Sequence, residues 1–200
     1  PATQKYMAVI TPVIAAAIAD KESESLRRNG AFCLGHMCAA AAPALTGEQL
    51  MGMIGWLFPL VNQPSKEDQK QGQVGADVDN AISAVARIIK ARPDIIPIDQ
   101  ILPTMLAALP LKADLEEGEN IFECLTGLVD SANPAAGPHY PVILDRIAQA
   151  AQNQRMPEAT RTKLVSWKVG KLTAQDAAYL AATMTLQTKN PAAFAFLSTP

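Results

Sequence analysis

The stretch DNAISAVARIIKARPD, residues 79–94, decides the fold. It reads as one amphipathic helix with a poor helix former, Asn80, in its first turn. The helix stops at Arg92-Pro93, because proline biases the preceding residue away from helical backbone. The same layout occurs twice more. Asn29 leads to Pro43 after 14 residues, Asn80 to Pro93 after 13 and Asn120 to Pro134 after 14. A second series, Pro12, Pro59, Pro103 and Pro141, runs through the preceding helices at spacings of 47, 44 and 38 residues. An internal proline costs a helix about 3 kcal/mol, so its recurrence fits outer helices curved around inner ones. A helix–turn–helix unit of roughly 40–47 residues is the period of HEAT or armadillo arrays. One such pair cannot bury its apolar face alone and has to stack on its neighbours. The recurring Asn is read first as glue, hydrogen-bonding to the next repeat's helix ends.

The rest of the chain follows the same period. Val9, Ile10, Val13, Ile14 and Ile18 make one stripe; Leu50, Met53, Ile54, Leu57, Phe58 and Val61 make another; Ile98, Ile101, Leu102, Met105, Leu106 and Leu109 a third. The periodicity predicts helices over 3–20, 24–41, 47–62, 77–92, 98–109, 114–131, 139–152, 157–170 and 174–187. Ser23 or Ser25, Thr46, Asp77, Asp114 and Thr173 are the expected N-caps. The predicted fold is therefore all-α, a HEAT-repeat α-solenoid of stacked antiparallel helix pairs. Its repeats are expected at 1–45, 46–95 and 96–135, with a degenerate repeat and cap at 136–187 and a tail at 188–200. The polar segment 62–77 is expected as a surface loop, with partner binding as the alternative role.

Composition narrows the function. With 49% hydrophobic residues and a net charge of −2, the chain is neither disordered nor a nucleic-acid binder working through bulk positive charge. Aromatics are only 5%, and alanine dominates, which favours helix. Three cysteines make no disulfide framework and point to a reducing compartment, cytosol or nucleus. The longest apolar run, YMAVITPVIAAAIA, is too short to span a bilayer. The chain opens on Pro1 just before a helical pattern and reads as a fragment of a longer protein.

Chemical motifs are weak. CLGHMC, residues 33–38, puts two cysteines and His36 close together, but Cys38 lies on another helix face and the remaining Cys124 and His139 belong to other repeats. Small core hydrophobes are the reading for Cys33 and Cys38, and no metal or other cofactor is expected. No nucleophile elbow, P-loop or dinucleotide fingerprint occurs, so no enzyme is expected. Trp56 and Trp167 sit among apolar residues at helical spacing and are expected in the core. Acidic residues cluster at Asp114, Glu116, Glu117, Glu119 and Glu123. Carboxylates favour a helix start through the macrodipole, which covers Asp114 to Glu117. Glu119 and Glu123 lie one turn apart, and with Asp77 and Asp79 of the preceding inner helix they are candidates for an acidic ridge that takes a basic ligand.

DNAISAVARIIKARPD, followed by ILPTMLAALPLKADLEEGENIFECLTGLVDSANP, resembles the C-terminal HEAT repeats of the importin beta (karyopherin beta) superfamily. The run LPLKADLEE after the DNA helix looks most like the branch of importin four and importin five, and LTAQDAAYLAATM looks like the short terminal helix of those receptors. The resemblance implies a non-enzymatic receptor that shuttles between cytoplasm and nucleus and carries basic cargo such as histones or ribosomal proteins through the pore. It implies Ran GTPase and nucleoporins as partners of the full-length protein, with no direct nucleic acid and no membrane insertion. In the family the second helices line the concave face. That makes Asp77, Asp79, Asn80, Arg87, Glu116, Glu119, Asn120 and Glu123 the candidate partner-binding residues. The fourth repeat lacks the Asn mark and departs from the pattern. The alternative is a HEAT scaffold subunit of another complex, such as a phosphatase or chromatin assembly.

Overall fold

The computed structural model describes residues 2–62 and 75–200. Among the described residues all regular structure is helical: α1 (Ala2–Ile18), α2 (Glu24–Ala41), α3 (Gly47–Asn62), α4 (Ala76–Ala91), α5 (Ile98–Ala108), α6 (Gly118–Asp130), α7 (Tyr140–Gln152), α8 (Glu158–Thr173), α9 (Ala177–Met184), α10 (Leu186–Lys189) and α11 (Pro191–Ser198). The helices pack as adjacent pairs, which is the all-α, HEAT-type architecture that the period predicts. No helix among the described residues is long and apolar enough to cross a membrane. The loop expected at 62–77 falls largely outside the described residues; Asn62 closes α3, and Ala76 and Asp77 belong to α4. Two compact units divide the chain: Pro1–Pro97 with Leu111–Ile121, and Ile98–Pro110 with Phe122–Pro200.

In the first unit the inner helices α2 and α4 form the main contact, with α1 against α2 and α3 against α4. Small residues let α2 and α4 approach. A Cβ on Gly35 would stand 2.7 Å from the Ala84 Cα, closer than real contacts allow. The α3 stripe is buried as expected at Leu50, Met53, Ile54 and Leu57. The α1 stripe is not. Met7, Ile14 and Ile18 face its neighbours, while Val9 and Val13 are 70% and 67% exposed and Ile10 also faces out. At about 100° per residue, Val9 lies well over a third of a turn and Val13 more than a quarter of a turn from both Met7 and Ile14, and α2 and α3 cover only one side.

Capping follows the sequence in part. Ser23 Oγ accepts from the Leu26 N–H. Thr46 and Gln49 form a reciprocal capping box, each side chain accepting the other's backbone N–H. Asp77 is not a cap: α4 starts at Ala76 behind Gly75, whose φ of 99° suits glycine. Asp114 precedes a 3-10 turn at Leu115–Glu117 and makes no capping bond, so α6 starts later than predicted. Thr173 ends α8, and Asp176 caps α9 instead. Pro141 sits in the first turn of α7, where its missing N–H breaks no helical bond.

In the second unit α5 stacks on α7, and α7 packs on α8, α9 and α11. The whole predicted α5 stripe is buried. Residues 188–200, expected as a tail, carry α11, capped by Asn190 through the Ala193 N–H. Three hydrogen bonds hold α11 down. The buried Lys168 ammonium donates to the carbonyls of Phe196 (3.3 Å) and Thr199 (2.8 Å), and the Tyr179 hydroxyl donates to Leu197 O at 2.8 Å. Trp167 is half-buried, not core: its indole N–H donates to the Asp130 carboxylate at 2.9 Å, and its ring meets Tyr179 edge-on. Lys171 bridges Asp130 (2.7 Å) and Asp176 (2.8 Å).

Two outcomes test this packing. Gly35→Ala should destabilise by about 1–3 kcal/mol through overpacking, whereas Gly52→Ala, mid-α3 with open space around it, should stabilise by about 0.5–1 kcal/mol; urea midpoints of the two variants should move in opposite directions. Asp176 is held below the ordinary carboxylate range, chiefly by Lys171 and then by the Tyr179 N–H. Its stabilising contribution is therefore complete above the unfolded value near 3.8 and is lost as acidification passes through the lower folded-state value. The stability gap between wild type and Asp176→Asn should shrink between pH 7 and pH 3; an unchanged gap would show that the ion pair contributes nothing.

Candidate partner-binding site

Helix α4 is buried along nearly its whole length, polar residues included. Buried polar groups need partners, and here a ladder supplies them. Asp77 accepts from the Arg27 Nε of α2 at 2.7 Å, with both side chains almost fully enclosed. Asp79, 1% exposed, accepts the backbone N–H groups of Lys112 (3.1 Å), Ala113 (2.7 Å) and Asp114 (2.8 Å). Burial pushes its carboxyl above the ordinary range despite these three donors, which pull the other way. Asn80 donates to Ala76 O one turn back (2.9 Å) and to the Asp114 carboxylate (2.8 Å).

One turn further on, Ser83 donates to the Glu117 carboxylate and accepts from Arg87 Nη1 (2.7 Å) and Asn120 Nδ2 (2.9 Å), which uses all its hydrogen-bonding capacity. Arg87 Nη1 also reaches Glu117 at 2.9 Å, and Asn120 Nδ2 reaches Ser83 O at 2.9 Å. At the end of the row Lys90 donates to Asn120 Oδ1 at 3.2 Å. Positions 79/80, 83, 87 and 90 thus recur at helical spacing along α4 and grip residues 112–120.

This placement sorts the predicted residues. Asp77, Asp79 and Asn80 are buried, and Arg87 and Asn120 are half-buried in the ladder. Glu116, Glu119 and Glu123 are exposed, with Glu123 3.3 Å from Lys163 in the second unit. The open acidic surface is therefore narrower than the sequence suggests, because Asp77, Asp79 and Glu117 face inward. Two of the three recurring asparagines bridge neighbouring segments. Asn29 is exposed, and Arg27, two residues earlier, makes the α2-to-α4 link. Sequence reasoning missed Ser83, Glu117 and Arg27 as ladder members; the signal was a polar row at i, i+3/4, i+7 on an otherwise apolar helix.

Two depressions open beside these elements. One, about 340 Å³, is lined by His36, Ala39, Arg87, Lys90, Ala91 and Asn120. The His36 imidazole is held below its ordinary range, first by burial and then by the Arg87 charge. The other, about 800 Å³, runs between α1 and α3 past Pro12, Leu45, Met53 and a half-buried Trp56, which walls the groove instead of filling the core. Among the described residues no cluster of three metal-ligating side chains occurs. Cys38 donates to Met53 Sδ, and burial pushes its thiol up to about 12, while Cys33 is exposed.

No family model matches the chain. Over 153 residues, 76% of its length, it is 28% identical to a probable importin subunit beta-4 of Schizosaccharomyces pombe. Over 165 residues, 82% of its length, it is 27% identical to importin-4 of Homo sapiens. These matches cover 13% and 14% of the relatives, so the chain spans only a small part of their length. The chain is a distant homologue of these importins of the importin-beta family.

The ladder makes a sharp stability prediction. Asp79→Ala removes the acceptor of three backbone N–H groups and should cost about 2–3 kcal/mol. Glu119→Ala, on the surface of the same region, should stay within about 0.5 kcal/mol of wild type. Equal denaturation midpoints for the two variants would rule out a stabilising role for the ladder.

Proposed function

We propose that the chain forms part of a nuclear transport receptor and offers a surface to basic protein cargo, with no chemistry of its own. Distant homology to importins and the paired-helix architecture support the receptor reading. The observation that carries the cargo reading is the arrangement around Glu117. That carboxylate and Asn120 point inward and fasten the segment, while Glu116 and Glu119 on either side are exposed. A fixed pair of outward carboxylates attracts lysine and arginine side chains without reorganisation of the backbone beneath them. Histones and ribosomal proteins are cargo of this chemistry. Ran in its GTP form and nucleoporins would act through the full-length receptor, moving between cytoplasm and nucleus.

The test is binding of a lysine-rich peptide, followed by fluorescence anisotropy at two ionic strengths. The double reversal Glu116→Lys with Glu119→Lys should weaken the peptide about tenfold at low salt, each exposed pair contributing up to about 1 kcal/mol, and raised salt should weaken wild type in the same sense. Unchanged low-salt affinity would reduce these carboxylates to a solvated helix start. In the full-length parent, Ran-GTP should displace bound cargo; failure to bind or displace would favour a scaffold subunit of another complex.

A further inference from the structure

The groove between α1 and α3 lies apart from the ladder and has a volume of about 800 Å³. Its lining is mostly apolar, with Met7, Pro12, Leu45, Met53 and Trp56 around Gly52. Trp56 is half-buried, so part of a large aromatic side chain stays open to a ligand. No neighbouring element comes within 4 Å of a Cβ built on Gly52, so the α3 backbone is approachable there. The polar groups at the groove are few and only partly used. Gln49 accepts the Thr46 N–H at 3.0 Å, and its amide nitrogen donates to no described residue. The Trp56 indole N–H likewise has no acceptor among the described residues, unlike that of Trp167, which donates to Asp130. Among the described residues that line the groove, Glu48 is the one charged side chain. It is exposed, and no described residue pairs with its carboxylate.

We propose that this groove binds a proline-rich segment of a partner protein, with a proline ring against Trp56 and a flanking arginine or lysine beside Glu48. An apolar groove penalises every ligand N–H that it buries without an acceptor. Proline has no N–H and presents only its carbonyl. Trp56 and Gln49 offer two N–H donors for such carbonyls. A helical ligand would have spent its carbonyls on its own backbone and left those donors idle. Aromatic side chains at an open groove are a recurrent surface for proline rings, and a polyproline helix is preformed, so it loses little freedom on binding. Gly52 lets the ligand backbone come close. A lone carboxylate without an internal partner sets the sign of the flanking residue as positive. The inference does not rest on the basic-cargo reading, since α1 and α3 carry the groove, whereas Glu116 and Glu119 lie on the 3-10 turn and α6.

The experiment follows labelled peptides on the 200-residue chain by fluorescence anisotropy. The probe is a repeated Pro-Leu-Pro segment ended by Arg; the controls replace every Pro by Ala or every Pro by Phe. The proline peptide should bind at least about tenfold more tightly than the alanine peptide. Gly52→Leu fills the open floor of the groove and should weaken it at least about tenfold, while the urea midpoint holds or rises because a mid-helix glycine is removed. Trp56→Phe keeps a ring and loses the N–H, and should weaken the peptide about three- to fivefold. Glu48→Gln should do the same at low salt. Equal binding of the proline and alanine peptides overturns the proposal, as does full affinity in the folded Gly52→Leu variant. Tighter binding of the phenylalanine peptide also overturns it, by making the groove a site for aromatic side chains. Glu116→Lys with Glu119→Lys should leave the proline peptide within about twofold at raised salt, and Gly52→Leu should not weaken a lysine-rich peptide, so this proposal and the cargo reading fail separately.

Discussion

Helix α4 is enclosed and yet carries Asp77, Asp79, Asn80 and Ser83, each at most 2% exposed. Water cannot satisfy these groups, and an orphaned buried donor or acceptor costs about 1–3 kcal/mol. The fold of the first unit answers that constraint. Arg27 of α2 meets Asp77, and the segment 112–120 meets everything from Asp79 to Lys90. Apolar burial brings α2, α3 and α4 together without fixing their register strongly, since alanine-rich surfaces slide. Directional bonds at helical spacing do fix it. The 3-10 turn at Leu115–Glu117 fits the same requirement, because Asp114 and Glu117 must both face α4 within a short span.

The constraint also sorts the charges. A carboxylate that accepts several hydrogen bonds inside the protein is a structural acceptor and projects little field outward. Asp77, Asp79 and Glu117 are of this kind. Counting acids near a helix start therefore overstates the acidity of the surface there. Glu116 and Glu119 are exposed on the segment, and Arg87, Lys90 and His36 line a cleft beside it. A surface patterned in this way selects partners by the order of their charges as much as by their sum.

How much of this is legible in the sequence depends on the range of the interaction. The α5 stripe, the α3 positions Leu50, Met53, Ile54 and Leu57, and the caps at Ser23 and Thr46 are local regularities, and each appears as read. Asp77, Asp114 and Thr173 are equally good caps by residue type, but each has a different place: Asp77 meets Arg27 fifty positions away, Asp114 meets Asn80, and Asp176 takes the cap near Thr173. Long-range partners overrule local propensity at Asp77 and Asp114, whereas at Thr173 the preceding helix runs on and a nearby Asp takes the cap. Asn29 shows the converse. Its spacing to Pro43 matches the other two units, yet the link between α2 and α4 is made by the buried Arg27, because Asn29, two residues and about 200° further round the helix, faces out. The exposed half of the α1 stripe and the helix α11 depend on which neighbours are present, which periodicity does not encode.

The ladder also explains how one short segment can serve stability and recognition together. Glu117 and Asn120 are anchored to α4, so the residues between and beside them lose little further conformational freedom when a partner arrives. Glu116 and Glu119 are therefore presented on a backbone that is already ordered. Binding through such groups avoids much of the ordering entropy that a mobile loop would lose. The same reasoning makes the ladder and the surface separable in principle: changing an inward group loosens the platform, whereas changing an outward group alters what the platform recognises.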